Sequence, residues 1–104
     1  MYNVIDLSKI TGFEWDGGNI DKSYQKHRVT TNEAEVVFTD ENIGIEKDVK
    51  YQGKEERYIA IGKTVGAKIL FVVFTLRETR IRIISARTAN KKEKRLYEKA
   101  KENP

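Results

Sequence analysis

Ile81-Arg82-Ile83-Ile84-Ser85-Ala86-Arg87 carries β-branched residues at 81, 83 and 84, which predicts a substantially buried strand. Arg82 lies inside that strand and Arg87 at its end. A guanidinium in such a place is costly unless paired. Two readings follow. One is a structural ion pair with a nearby glutamate; the other is phosphate binding, for which the planar, always-charged fork is suited. The strand alone leaves both open.

Working outward, four antiparallel strands are expected at about 43–50, 56–63, 68–77 and 80–87. The connections Gln52-Gly53-Lys54 and Thr64-Val65-Gly66 carry the glycines that tight hairpins prefer. Glu78-Thr79 is poorer hairpin chemistry, so the register of the last hairpin, and the face on which Arg82 lies, stay undetermined. Downstream, Asn90 with Glu93 three residues later starts a helix. Leu96, Tyr97 and Ala100 give that helix an apolar edge among Lys91, Lys92, Lys94, Arg95, Lys99 and Lys101. Upstream, Gly17-Gly18 precedes a first helix of about Asn19 to Arg28, with Ile20, Tyr24 and His27 on one stripe. Thr30 and Glu33 form a capping-box pair for a short second helix ending near Phe38, with Val29 placed to staple onto Ala34. Thr39-Asp40-Glu41-Asn42 is turn chemistry. Phe13-Glu14-Trp15 alternates as a short half-buried strand would. The expected class is α+β: two N-terminal helices and a C-terminal helix around a four-stranded antiparallel sheet.

The 104 residues suit one domain spanning 1–104, with 38% apolar and 35% charged residues. With no cysteine and one histidine, disulfides, thiolate zinc sites and multi-histidine metal sites are excluded. No apolar run is long enough to span a membrane and no signal-peptide pattern opens the chain, so a soluble cytosolic protein is expected. Charge is uneven: residues 1–50 hold six Lys and Arg against ten Asp and Glu, whereas residues 51–104 hold fourteen against six. A basic half implies a polyanion surface, or else solvated surface charge.

Phe71-Val72-Val73-Phe74-Thr75-Leu76-Arg77, the turn, Ile81 to Arg87 and a basic helix to Tyr97 together resemble the BrnT family. So do Trp15-Asp16, Asn19, Lys26-His27, Glu33-Ala34, Val37-Phe38, Glu56-Arg57 and Ile61-Gly62, in that order. The resemblance runs from about Phe13 to Tyr97; residues 1–12 are an extension outside it. It implies a RelE-like fold and a ribonuclease toxin of a type II toxin–antitoxin system. It also implies inhibition by a ribbon-helix-helix antitoxin similar to BrnA, with DNA engaged only through that complex. Most relatives place glycine after the histidine, closing the helix in the left-handed conformation; here that position is Arg28.

Metal-free RNA cleavage needs a base for the 2′-hydroxyl, cations for the pentacoordinate phosphate and an acid for the leaving oxygen. His27, the side chain with an ordinary pKa near neutrality, is the natural base or acid, and Glu56 is a second base. Arg57, Arg82 and Arg87 supply positive charge, with Lys26 assisting. Lys91, Lys92, Lys94 and Arg95 provide an RNA-binding surface. Each has a plainer reading: His27 as a packed helix-end residue, Glu56 as an ion-pair partner. Tyr97 reads as a core anchor, and Ser85 has no identifiable base beside it. No cofactor is implied. In RelE-like toxins generally, catalysis rests on Arg, Lys and Tyr more than on an acid–base pair. The rival function is a non-catalytic nucleic-acid-binding module, or a decayed toxin acting only with its antitoxin.

Overall fold

In the computed structural model, which describes residues 5–15 and 26–102, the strand expected at about 80–87 runs from Arg80 to Thr88 and is here β5. The other strands are β1 (Gly12–Trp15), β2 (Gly44–Lys47), β3 (Tyr58–Lys63) and β4 (Ile69–Arg77). They form one sheet in the order β1-β5-β4-β3-β2. Two α-helices lie wholly within the described residues, α1 (Thr31–Val36) and α2 (Lys91–Glu102); a 3-10 turn, Val37–Thr39, extends α1.

Alternation along the strands sorts the two faces. On one face Leu70, Val72, Phe74, Ile81, Ile83 and Ala86 are almost fully buried, against Val29, Ala34, Val37 and Phe38. Phe13, Phe38 and Phe74 pack in series through this core, with ring centroids 5.5 and 5.2 Å apart. On the other face α2 covers one end of the sheet: Tyr97 packs with Ile61, Ile69 and Ala89. The remainder of that face has no helix over it among the described residues.

The capping signals act as read. Thr30 and Glu33 make both bonds of a capping box, and Asn90 and Glu93 exchange backbone–side-chain bonds at 2.9 and 2.8 Å. Gly62 is required by a close approach: a Cβ there would meet the Val37 carbonyl oxygen at 3.0 Å, where the 3-10 turn crosses β3. Tyr97 is a core anchor, 2% exposed, and its hydroxyl donates to Asp40 at 2.6 Å. Burial, and then that carboxylate, push its pKa well up.

Two expectations are corrected. The sheet has five strands and is mixed, because Phe13-Glu14-Trp15 joins it: β1 runs parallel to β5, with Glu14 beside Arg82. Trp15 then donates to Glu35 at 3.3 Å, tying β1 to the helix layer. β2 is also shorter than the expected 43–50, because Asp48 begins a turn by accepting from the Tyr51 and Lys50 amides. The first expected helix, 19–28, falls mostly outside the described residues; Lys26 and His27 are helical.

Arg28 follows them at φ 56°, in the left-handed region where a glycine was expected. A side chain there costs about 1–2 kcal/mol. Arg28→Gly is therefore expected to raise stability by roughly 0.5–1 kcal/mol, read as a melting temperature a few degrees higher. A lower melting temperature would mean that the Arg28 side chain returns more than its backbone loses. In the β3–β4 turn the left-handed residue is Ala67 (φ 66°), not the neighbouring Gly66, and in the β4–β5 hairpin it is Glu78 (φ 58°).

Candidate functional site

Arg82 and Arg87 are five residues apart, and strict alternation would point them to opposite faces. A β-bulge prevents this. Val73 pairs with Ser85 but Phe74 pairs with Ile83, leaving Ile84 as the extra residue. The phase of β5 shifts there, so Arg82 opposite Thr75 and Arg87 opposite Phe71 share the face away from the main core. They are still separated along it. Their partners are four positions apart on β4, about 13 Å, too far for both to hold one phosphate.

The part of this face left uncovered is a cleft of about 350 Å³. Four cations line it, Lys54, Arg57, Arg77 and Arg82, against one carboxylate, Glu55. Tyr51, Thr75 and Ile84 complete the wall. Arg57 precedes β3 and its guanidinium lies 4.0 Å over the Tyr51 ring. Gly53 gives that ring its place, since a Cβ there would collide with it. Arg77 pairs with Glu55 at 3.2 Å. Glu14 reaches Arg82 at 3.4 Å and Arg80 at 3.7 Å. Thr75 is 4% exposed, and its Oγ1 has no hydrogen-bond partner among the described residues.

Of the residues expected to carry chemistry, the fold brings Arg57 and Arg82 together in this cleft. Arg87 sits apart, bound through two nitrogens to Glu93 at 2.8 and 2.9 Å and 4.0 Å over the Phe71 ring. The Arg87 guanidinium holds the Glu93 carboxyl below its ordinary range. Glu56 does not line the cleft. It accepts from Lys47 at 2.8 Å and from the Tyr58 hydroxyl at 3.0 Å, and Lys47 above all draws its pKa down. His27 is half-buried and Lys26 exposed, and neither lines the cleft. Lys91, Lys92, Lys94 and Arg95 are exposed on α2; the last two line a separate shallow groove with Glu98 and Lys99. Sequence reasoning missed Tyr51, Lys54, Glu55, Thr75, Arg77 and Ile84. Thr75 and Arg77 were within reach, being two apart on one strand; placing them against Arg82 required the hairpin register.

No three acidic or histidine side chains among the described residues are grouped to hold a metal, and no helix there is long and apolar enough to cross a membrane. Fold and cleft together define a small α+β protein with an open, cationic sheet face. The chain belongs to the family of BrnT ribonuclease toxins of type II toxin–antitoxin systems, whose model matches residues 15–93. Among solved structures, the crystal structure of the Brucella abortus ribonuclease toxin BrnT shares its fold, with a TM-score of 0.58 and 21% identity. That match covers 78% of this chain and 99% of the Brucella chain. The comparison with curated proteins gave no match.

Proposed function

We propose that this toxin is an endoribonuclease that cleaves RNA in the cleft between β3, β4 and β5 without a metal ion, and so arrests growth. The observation that carries the reading is the donor set: Arg57, Arg82, Arg77 and Lys54 converge where one carboxylate stands. Such a set repels a divalent cation and attracts a phosphodiester. Arg57 and Arg82 would stabilise the charge that grows on the phosphoryl oxygens as the 2′-oxygen attacks, the step at which preorganised cations lower the barrier most. The 2′-hydroxyl loses its proton, the 5′-oxygen leaves and takes one up, and a cyclic phosphate remains. Glu55 is the carboxylate within reach of that chemistry. Glu56, His27 and Arg87 would act only on RNA extending past the cleft. The test is cleavage of a single-stranded RNA by the purified chain in excess chelator. Cleavage abolished by the chelator and restored by a divalent ion would overturn metal independence.

The exposed cations of α2 would extend the RNA track. Binding should then weaken with salt by roughly 0.7 log units per log unit for each phosphate contact. Removing Lys91, Lys92 and Arg95 together is expected to flatten that slope by about two units. An unchanged slope would confine the RNA to the cleft.

The partner in this reading is an antitoxin similar to BrnA, a ribbon-helix-helix protein that silences the toxin by covering the cationic face. An acidic or amphipathic segment would gain steering from Arg57 and Arg82 and burial against Leu96, which is 45% exposed on α2. Antitoxin and RNA are expected to compete, and charge reversal at Lys94 and Arg95 to slow association with both. A stable complex that binds RNA at the cleft as tightly as the free chain would exclude occlusion.

A further inference from the structure

We infer that the Thr75 hydroxyl is a third donor to the RNA phosphate, seated between Arg57 and Arg82; this rests on the cleft being the RNA site. Thr75 is buried on the cleft face, directly opposite Arg82 on the neighbouring strand. Its Oγ1 has no partner among the described residues. A buried hydroxyl left that way is costly, and a valine of the same shape would avoid the cost. What the hydroxyl lacks is an acceptor. Arg57 and Arg82 offer only N–H groups, and the nearby carboxylates are engaged, Glu55 by Arg77 and Glu14 by Arg82 and Arg80. A tetrahedral oxyanion answers all three groups at once: two guanidiniums and one hydroxyl donate, and its oxygens accept.

The free protein keeps this donor covered, since Oγ1 is closed to solvent. Access requires a neighbouring side chain to move, and Arg82, opposite Thr75 on β5 and lining the same cleft, is a neighbour with cause to do so. An arriving phosphodiester competes with Glu14 for its guanidinium, and the Glu14 contact is at the long end of the range, 3.4 Å. As Arg82 turns from carboxylate to phosphate, the hydroxyl beneath gains its acceptor. The substrate therefore takes the place of Glu14 on Arg82 and adds a hydrogen bond that no group among the described residues provides. Thr75 so placed ranks the phosphodiester over a carboxylate ligand, because only the tetrahedral group presents oxygens to both arginines and to the floor.

The experiment compares the full chain with Thr75→Val and Thr75→Ser. Three readouts are taken: thermal melting, binding of a fully 2′-O-methylated oligonucleotide that cannot be cleaved, and cleavage of the matching RNA. Thr75→Val is expected to melt at or above the wild-type temperature, yet to bind the methylated strand about tenfold more weakly or worse. Its cleavage should fall at least as far, and Thr75→Ser should restore both to within about threefold. Equal binding by Thr75→Val and wild type would overturn the inference. So would Thr75→Ser as weak as Thr75→Val, which would assign the effect to the methyl group, and so would a wild-type chain that does not bind the strand. A wild type that binds the methylated strand but leaves RNA uncut would overturn the ribonuclease reading instead. The phosphate subsite would then stand on the Thr75→Val binding loss alone.

Discussion

Replacing Arg82 by alanine is expected to slow RNA cleavage by on the order of a hundredfold or more, while the chain stays folded. The guanidinium is half-buried in β5, on the same face as Thr75, and its place there is set by strands on both sides. A preorganised charge of this kind needs no rearrangement of solvent at the moment phosphorus becomes pentacoordinate. Its removal also costs the pair with Glu14, but that carboxylate keeps Arg80 at 3.7 Å and is 28% exposed, so loss of this pair should contribute about 1 kcal/mol to the thermal penalty. Arg82→Lys should fall between, keeping the charge and losing the fork. Cleavage rate per folded molecule and melting temperature decide the matter together. A large thermal shift with normal turnover would make Arg82 a structural residue and remove it from the chemistry.

For stability the larger effect is expected at Glu93. This one carboxylate caps α2 by accepting from the Asn90 amide and also clasps Arg87 through both oxygens. Glu93→Ala removes the cap, worth about 1 kcal/mol, and a charge-assisted pair with 13% exposure on the carboxylate side. The sum is about 2–3 kcal/mol, or a melting temperature lower by on the order of 10 °C. The same group predicts a pH dependence. Arg87, and then the Asn90 amide, hold the folded-state pKa of Glu93 below its ordinary value, against the opposing effect of burial. Its contribution is therefore fully present above the unfolded carboxylate value, near 4.3, and is lost as pH falls through the lower folded value. Melting curves from pH 7 down to about 3 should show wild type losing more than Glu93→Ala across that window. Equal losses would mean that the clasp adds nothing.

Much of this was legible from residue types. Thr30 with Glu33 and Asn90 with Glu93 announce two helix starts because the capping bonds are local, three residues apart. The glycine that relatives carry after the histidine implies a left-handed backbone at Arg28, and φ 56° is what the chain adopts there. The features that build the cleft are of another kind. A two-residue hairpin led by Glu78 at φ 58° carries no glycine to reveal its geometry. The bulge at Ile84 has no local mark either: two adjacent isoleucines read as one buried run, although Ile83 enters the core and Ile84 lines the cleft. The parallel pairing of β1 joins residues 68 apart, with no turn between them to announce it. Arg82 and Arg87 could thus be singled out from sequence, but not their common face. Thr75, two residues before Arg77 on one strand, was within reach, but its place opposite Arg82 and its hydroxyl without an acceptor among the described residues follow only from the register and the packing.

The pairing of β1 with β5 also sets when the cleft can exist during synthesis. Glu14 is made near the start of the chain, whereas Arg82 and the strand that seats it come near the end. Closing so long a loop is slow compared with forming α1 or the β3–β4 hairpin, whose contacts are local. A nascent chain that has reached Thr75 already holds Arg57 and the hydroxyl, but not the strand that brings the second guanidinium over them. Fragments ending before Arg82 therefore lack one guanidinium of the cleft and the strand that closes it, and the proposed cleavage of RNA is expected only of chains that include β5.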